Sequence, residues 1–234
     1  MNFTKSISDF SDLLYPNICP GCNEEEKPEE SLFCVSCTFR LPYSKTLLNP
    51  DENELIKKFN KEFDIKHGVA LYTMDNKSII EQLIRQIKYH HRRFIGTEVG
   101  QVFGHEIARR NIFSTVDLLL PVPLHKKKLH KRGYNQSLKI CEGLSTVLNI
   151  PIDNKSLKRI KHTMTQTAMS KLRRTENMAN SFKLKTKKNL YNKHVCIVDD
   201  VITTGSTITA CLDQMKNIPG IQFSVACIGL PIDF

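Results

Sequence analysis

The sequence predicts an α/β protein in which helices cover a parallel β-sheet, with a small N-terminal unit organised by four cysteines. Two buried-strand patterns support the sheet: residues 195–198 are all apolar, and residues 116–123 are mostly apolar and end in prolines. Segments with helical apolar spacing lie between and after these strands. The four cysteines form two Cys-x-x-Cys pairs. A chain of 234 residues is long enough for one good core plus such an appendage.

The N-terminal part combines a helical pattern with a metal-binding pattern. Residues 3–15 have helical apolar spacing, which predicts a short amphipathic helix. Eleven residues separate the pair Cys19 and Cys22 from the pair Cys34 and Cys37. Four thiolates at this spacing are typical of a tetrahedral structural Zn²⁺ site with no open coordination position. A redox role for one pair is the alternative, and it leaves the second pair unexplained. We expect residues 1–48 to form this helix and a double zinc ribbon.

The cysteines also bear on the cellular setting. The N-terminus lacks the apolar core of a signal peptide, and no stretch approaches eighteen apolar residues. Cysteines in a chain without an export signal are more often thiols or metal ligands than disulfides. The sequence therefore predicts a cytoplasmic protein without membrane insertion. Four further cysteines lie in apolar segments and are expected to be core thiols: Cys141, Cys196, Cys211 and Cys227.

Residues 49–234 predict the larger domain, and its elements alternate. Residues 41–62 predict a linker with at most a helical turn, and residues 64–74 a strand or hairpin. Apolar residues at i, i+3 and i+4 predict an amphipathic helix over residues 78–89, ended by a dense basic run, and a second helix follows at 95–110. After the strand at 116–123 come a basic loop and helix start at 124–136, a helix at 135–148 and a basic strand at 156–160. Residues 161–172 are polar and lack core periodicity, which favours a mobile loop that closes over substrate; a helical segment and a last strand at 221–229 follow.

The run from 195 to 207 concentrates the candidate chemistry. The apolar strand ends in Asp199 and Asp200, and open α/β sheets bind their ligands at this carboxyl edge. A hydroxyl-rich loop centred on Gly205 follows, and glycine tolerates the positive φ that turns consecutive backbone N–H groups toward an anion. The next helix adds the partial positive charge of its N-terminus. The residues that we assign to phosphate binding are Val201, Ile202, Thr203, Thr204, Gly205, Ser206 and Thr207.

The two carboxylates would repel a phosphate, so we expect them to face other groups. They can accept hydrogen bonds from the vicinal hydroxyls of a ribose, or organise Mg²⁺ and its waters. A 5-phosphoribosyl group satisfies the carboxylates and the loop at once. The loop is not a Walker loop, since no Gly-Lys-Ser/Thr is present. An acidic strand end followed by an ordinary helix cap is the alternative.

Positive charge is concentrated in one third of the chain. Residues 121–193 carry 18 Lys and Arg against 3 Asp and Glu, whereas the whole chain has a net charge of +10. This distribution favours a polyanion partner such as pyrophosphate, a nucleotide or nucleic acid over a merely solvated surface. Its first part lies beside the predicted acid pair and could hold a departing pyrophosphate. The residues assigned to that loop are Leu124, His125, Lys126, Arg132, Gly133, Asn135 and Gln136.

The run around the acids resembles the phosphoribosyl diphosphate (PRPP) binding motif of type I phosphoribosyltransferases: an apolar strand, two acids, two arbitrary residues and Thr-Thr-Gly-x-Thr. From about residue 10 onward the chain resembles the ComF/GntX family of phosphoribosyltransferase-like proteins. The resemblance also rests on the four cysteines, Pro121-Val122-Pro123-Leu124 and Arg132-Gly133-Tyr134-Asn135-Gln136, with T-x-x-Q at Thr163 and Gln166 and R-x-x-N at Arg174 and Asn177. It implies a zinc ribbon joined to a Rossmann-like phosphoribosyltransferase domain, and an association with natural competence, the uptake of single-stranded DNA.

Two functions agree with these patterns. One is a transferase that binds PRPP with Mg²⁺ through Asp199 and Asp200, with an unidentified acceptor and no evident general base. The other is a non-catalytic competence factor, in which residues 121–193 contact single-stranded DNA and the ribosyl site holds a nucleotide end or a regulatory ligand. DNA-uptake or processing proteins are possible partners of either. Steep salt dependence of DNA binding would favour the second function.

Overall fold

The computed structural model describes residues 18–24, 26–28, 31–75, 77–89, 92–160 and 181–234. Three sequence predictions lie outside these residues: the N-terminal helix at 3–15, the mobile loop at 161–172 and the helical segment after it. The described strands are β1 (Ile65–Met74), β2 (Leu118–Pro121), β3 (Leu157–Arg159), β4 (Phe182–Leu184), β5 (His194–Val201) and β6 (Gln222–Pro231). The α-helices are α1 (Val35–Thr38), α2 (Glu54–Phe59), α3 (Ile79–Tyr89), α4 (Arg93–Arg109), α5 (Lys126–Arg132), α6 (Gln136–Leu148) and α7 (Ser206–Asp213).

Four strands form a parallel sheet in the order β1–β6–β5–β2. Central strand β5 is buried over residues 194–198, as its apolar sequence predicts for a strand covered on both faces. In the register of the sheet, Pro121 of β2 lies opposite Val198 of β5. The residues that follow β2 therefore lie beside the last residues of β5. Strands β3 and β4 form a separate antiparallel pair.

Helices α4 and α6 approach each other more closely than side chains would permit. A Cβ atom added to Gly100 would lie 2.3 Å from the carbonyl oxygen of Ile140, and one added to Gly143 would lie 2.1 Å from that of Thr97. Glycine is thus required on both helices because the two backbones are in contact. This packing holds the start of α6 at the carboxyl edge of the sheet, where Ser137 contacts the residues at the end of β5.

The cysteine unit packs on the larger domain rather than standing apart. Its cysteines belong to the hydrophobic core that also contains residues of β1, α3 and α4. The ring of Phe33 meets that of Tyr72 edge to face with centroids 6.3 Å apart, and Gln86 of α3 donates a hydrogen bond to Asn23. Unfolding of the cysteine unit would therefore expose part of the main hydrophobic core to water.

Two segments contain more helix than the sequence predicts. Residues 41–62, predicted as a linker, contain a 3-10 helix at Lys45–Leu47 and helix α2. Helix α2 is only six residues long, too short for a periodic signal, but Asn53 caps it and its apolar side chains are buried. Within the segment 124–136, predicted as a loop and helix start, residues 126–132 form helix α5, which is capped by His125 and ended by Gly133 at a φ of +78°. Residues 64–74 form a single strand, and strand β4 and helix α1 were not predicted. The other described elements fall within a few residues of their predicted bounds.

The predicted fold class is confirmed by the parallel sheet, its covering helices and the clustered cysteines near the N-terminus. Among the residues that the structure describes, no helix has the length and apolar character needed to cross a membrane.

Candidate functional site at the carboxyl edge of the sheet

The acid pair, Asp199 and Asp200, ends strand β5 at the carboxyl edge of the sheet. Asp199 Oδ1 accepts hydrogen bonds from Ser137 Oγ at 3.0 Å and from the backbone N–H of Asp200 at 2.9 Å. Asp200 Oδ1 accepts the backbone N–H of Val201 at 2.8 Å. One oxygen of each carboxylate is thus held by the protein, which fixes the orientation of both groups before any ligand binds.

Asp200 also forms an ion pair that sequence analysis did not predict. Lys88 Nζ, from the last turn of α3, lies 3.0 Å from Asp200 Oδ2. The Asp200 side chain is only 7% exposed and that of Lys88 23%, so the pair is largely shielded from water. Tyr134 donates its hydroxyl to the carbonyl oxygen of Ile87, the residue before Lys88. This bond ties the end of α3 to the loop between α5 and α6.

The electrostatic environment of the acid pair opposes two free negative charges. Burial, followed by the charge of the neighbouring Asp200, raises the pKa of Asp199 well above its usual range. The backbone N–H of Asp200, the ammonium of Lys88 and the hydroxyl of Ser137 act in the opposite direction. A ligand that donates hydrogen bonds to these oxygens would favour the charged form of the pair and would be bound more tightly for that reason.

The segment that the sequence analysis assigned to phosphate binding, residues 203–207, follows the acid pair, and we call it the phosphate loop. Gly205 has a φ of +76° and caps α7, and the hydroxyls of Thr204 and Ser206 are 3.0 Å apart. A Cβ at Gly205 would lie 3.0 Å from the Phe59 ring and 3.4 Å from Lys58 Cε, both in α2. Helix α2, in the segment predicted to be a linker, therefore packs against the phosphate loop and brings Lys58 close to it.

A cationic cluster borders the acid pair. We define it as four side chains from three parts of the chain: Lys88, Lys128, Arg132 and Arg159. Burial lowers the pKa of Lys128, and the positive charges of Arg159, Arg132 and Lys88 lower it further, while Asp200 acts in the opposite direction. Burial likewise lowers the pKa of Arg159, which the Asp199 carboxylate partly offsets. Mutual repulsion among these cations favours a bound polyanion.

Within the predicted 124–136 segment, the structure assigns several side chains to local support. Asn135 donates its amide N–H to the Val122 carbonyl at 3.0 Å and accepts the N–H of Ser137 at 3.1 Å, so it joins β2 to the start of α6. His125 accepts the backbone N–H of Lys127. Gln136 is buried at the start of α6. The remaining assigned residues precede α5, begin or end it, or follow it directly: Leu124, Lys126, Arg132 and Gly133.

Four predicted site residues, Thr163, Gln166, Arg174 and Asn177, lie outside the described residues. Five residues of the described site were not among the assigned residues, although Lys128 lies within the basic segment 124–136: Lys58, Lys88, Lys128, Ser137 and Arg159. Lys88 ends an amphipathic helix and Arg159 lies on a three-residue strand, so neither stands in a motif that marks a ligand site. Ser137 follows the Asn-Gln pair directly, and only the packing of α6 brings its hydroxyl to Asp199.

The four predicted metal ligands come together near the N-terminus. The Sγ atoms of Cys19, Cys22, Cys34 and Cys37 all lie within 4.8 Å of one another. Tetrahedral zinc with Zn–S bonds of about 2.3 Å requires sulfur atoms roughly 3.8 Å apart, and the Cys22 and Cys34 sulfurs are 3.9 Å apart. Backbone N–H groups of Gly21 and Cys34 point at the Cys19 sulfur. The cluster therefore fits a structural zinc ion held by four thiolates.

The acid pair fits Mg²⁺ less well than it fits ribose hydroxyls. Mg²⁺ prefers octahedral oxygen coordination and gives up its waters reluctantly. Asp200 already faces an ammonium group at 3.0 Å, and Oδ1 of each acid accepts hydrogen bonds from the chain. A magnesium ion at this edge would more readily be held through a diphosphate ligand than by direct coordination to both carboxylates.

Sequence comparison places the chain in a family. It is 35% identical over 206 residues to competence protein F of Haemophilus influenzae, covering 86% of this chain and 85% of that protein. It is 34% identical over 219 residues to the DNA utilization protein YhgH of Escherichia coli K12, covering 90% of this chain and 89% of that protein. The chain belongs to the family of competence protein F and YhgH. A scan against protein-family models gave no match.

Solved structures with a similar chain trace include phosphoribosyltransferases. UMP synthase of Leishmania donovani matches with a TM-score of 0.34 and 16% identity, over 62% of this chain and 24% of that one. Hypoxanthine phosphoribosyl transferase of Trypanosoma cruzi matches with a TM-score of 0.32 and 15% identity, over 61% of this chain and 64% of that one. These likenesses are distant, and the fold assignment rests on the sheet itself.

Proposed function

We propose that this chain is a phosphoribosyltransferase-like protein that binds PRPP, or a related 5-phosphoribosyl ligand accompanied by Mg²⁺, and acts in cytoplasmic DNA uptake or utilization. The observation that carries the proposal is the adjacency of the acid pair and the phosphate loop at the end of one strand. The names of the relatives, a competence protein and a DNA utilization protein, support the cellular role.

In this proposal the ribose hydroxyls donate hydrogen bonds to the carboxylates of Asp199 and Asp200. The 5-phosphate lies in the loop at residues 203–207, where backbone N–H groups, hydroxyls and the N-terminus of α7 attract an anion. Lys58 beside Gly205 adds a positive charge on that side. All of these residues except Lys58 lie at the end of β5 or directly after it.

The cationic cluster suits the diphosphate of such a ligand. If transfer occurs, the bond between ribosyl C1 and the diphosphate oxygen breaks, negative charge develops on the leaving group, and positive charge develops on the ribosyl group. Lys128 and Arg132 would stabilise the leaving group, and the carboxylates would stabilise the ribosyl cation. Magnesium bound by the diphosphate would add further charge stabilisation there. The acceptor that attacks C1 is unassigned, so the proposal is one of ligand binding with transfer as its extension.

Calorimetric titration with PRPP and Mg²⁺ tests this proposal. We expect saturable binding by the wild-type protein and its loss in the Asp199→Asn/Asp200→Asn variant, because amides accept ribose hydroxyls less strongly than carboxylates do. Asp64→Asn is the matched control, since Asp64 is an exposed acid beside the opposite edge of the sheet. Binding by the double variant that equals the wild type would refute the assignment of the acid pair.

The basic region favours a second candidate function, direct binding of single-stranded DNA. Residues 121–193 carry the charge excess, and exposed Lys126 and Lys127 lie on α5, the helix that also carries Lys128 and Arg132 of the cationic cluster. Phosphate contacts of this kind make affinity fall steeply as salt rises, by about 0.7 log units per contact for each tenfold increase in salt. DNA-uptake proteins would then be partners because they bind the same single-stranded DNA.

The two functions can be separated with one pair of variants. We expect Lys126→Glu/Lys127→Glu to weaken binding of a labelled oligonucleotide and to reduce its salt dependence. The Asp200→Asn variant should retain oligonucleotide binding while losing PRPP. DNA binding that is insensitive to salt and to the lysine substitutions would contradict the second function.

A further inference from the structure

The ion pair between Lys88 and Asp200 has no counterpart in the sequence motifs of the site. Lys88 Nζ lies 3.0 Å from Asp200 Oδ2, in a setting where the Asp200 side chain is 7% exposed. A charge pair removed from water this far is costly to form, so it is retained only where its geometry is well supported. The bond from Tyr134 to the carbonyl of Ile87 supplies that support at the adjacent residue.

The contact neutralises Asp200 without a full hydrogen bond. Asp200 Oδ1 accepts the N–H of Val201, whereas Oδ2 faces the ammonium of Lys88 outside hydrogen-bond geometry and is closed to solvent. A ligand hydroxyl can reach Oδ2 only after the lysine side chain moves and opens this atom. The ammonium of Lys88 has three N–H groups, so it can remain near Asp200 and still donate to a second group.

Lys88 also belongs to the cationic cluster. Its positive charge is felt by Lys128, whose pKa it lowers together with Arg159 and Arg132. Lys88 thus contacts the acid pair directly and also adds its charge to that of the cations suited to a diphosphate. A group in that position can compensate the negative charge of both the carboxylate and the ligand.

We infer that Lys88 acts as a built-in counter-cation, which allows the diphosphate of a 5-phosphoribosyl ligand to bind next to the acid pair without strict dependence on Mg²⁺. The inference rests on the proposed function. Without Lys88, the uncompensated Asp200 carboxylate would repel the diphosphate, and a divalent cation would be needed to offset that repulsion.

Titration with PRPP in EDTA and in excess Mg²⁺ tests the inference by the ratio of the two affinities. For the wild type we expect the affinity in EDTA to lie within about tenfold of that in Mg²⁺. For Lys88→Met we expect a loss of roughly thirtyfold or more in EDTA and a much smaller loss in Mg²⁺. Lys88→Arg keeps the charge and should resemble the wild type.

The matched control is Arg85→Met, which removes a positive charge from the exposed face of the same helix. It should leave both affinities unchanged. If Lys88→Met does not fold, the test uses Lys88→Gln, together with the ratio of the wild-type PRPP affinities in EDTA and in Mg²⁺. A wild type that needs Mg²⁺ strictly, or a Lys88 variant that loses affinity equally in both buffers, would overturn the inference. Absence of PRPP binding by the wild type in either buffer would overturn the proposed function and the inference with it.

Discussion

The hydrogen bond from Ser137 to Asp199 gives a stability prediction with a definite pH dependence. Ser137 is buried, and its hydroxyl donates to Asp199 Oδ1 at 3.0 Å. A hydrogen bond to a charged group contributes about 1.5–3 kcal/mol. For a protein of this size, 1 kcal/mol corresponds to about 2–4 °C in Tm. We therefore expect Ser137→Ala to lower the Tm by roughly 3–10 °C at a pH where Asp199 is ionised.

The sign of the pH dependence follows from the raised pKa of Asp199. Because burial and the Asp200 charge raise this pKa above the unfolded value, the folded protein holds a proton that the unfolded chain has lost, and stability falls as the pH rises through this window. Ser137 opposes the shift by stabilising the anion. Its removal should therefore cost more at high pH than at low pH.

Thermal unfolding followed by circular dichroism across a pH series, with zinc present, measures this difference. Thr146→Ala is the control on the same helix, because Thr146 is exposed and its hydroxyl bonds only a backbone carbonyl of the helix. We expect its effect to be small and independent of pH. A Ser137→Ala penalty that is the same at every pH would refute the assignment of this bond to an ionisable, strongly buried carboxylate.

Three further predictions concern packing, the metal and the phosphate loop. Gly143→Ala should destabilise the fold by about 3 kcal/mol or more in chemical denaturation, because its Cβ would lie 2.1 Å from the Thr97 carbonyl oxygen. The control Gly133→Ala, which has open space around it, should lower the free energy of unfolding by roughly 1 kcal/mol. Equal losses in the two variants would argue against contact between the helices as the cause. Cys22→Ser should abolish stoichiometric zinc, measured by metal analysis, and lower the Tm of the whole protein; an unchanged Tm would contradict the shared core. Gly205→Ala should weaken PRPP binding more than it lowers stability, because a side chain at a φ of +76° distorts the loop. Calorimetry measures the loss in binding free energy and thermal unfolding the loss in stability, and a larger loss in stability than in binding would contradict this prediction.

The strand that ends in the acid pair was predictable because its signals are local. Residues 195–198 are uniformly apolar, the two acids follow directly, and Gly205 has the positive φ that the loop composition predicts. Helices α3, α4 and α6 were predictable for the same reason, since each repeats apolar residues over three turns or more. The cysteine spacing likewise predicted the cluster that the fold assembles.

The missed features depend on contacts between distant parts of the chain. Lys88 and Asp200 are far apart in sequence, and Lys88 reaches the acid pair only because α3 ends beside the loop that carries Tyr134. Ser137 reaches Asp199 because two glycines let α4 and α6 touch. Helix α2 was not predicted because six residues are too few to show a helical period, although its side chains Leu55, Ile56 and Phe59 are buried.

A crystal structure of the protein soaked with ribose 5-phosphate would test the central claim most directly, because this ligand carries the phosphate and the vicinal hydroxyls without the diphosphate. We predict the phosphate within hydrogen-bond distance of the backbone N–H groups of residues 203–207, and the two ribose hydroxyls on the carboxylates of Asp199 and Asp200. Ligand bound with its phosphate on α5, or with its hydroxyls away from the acid pair, would contradict the account.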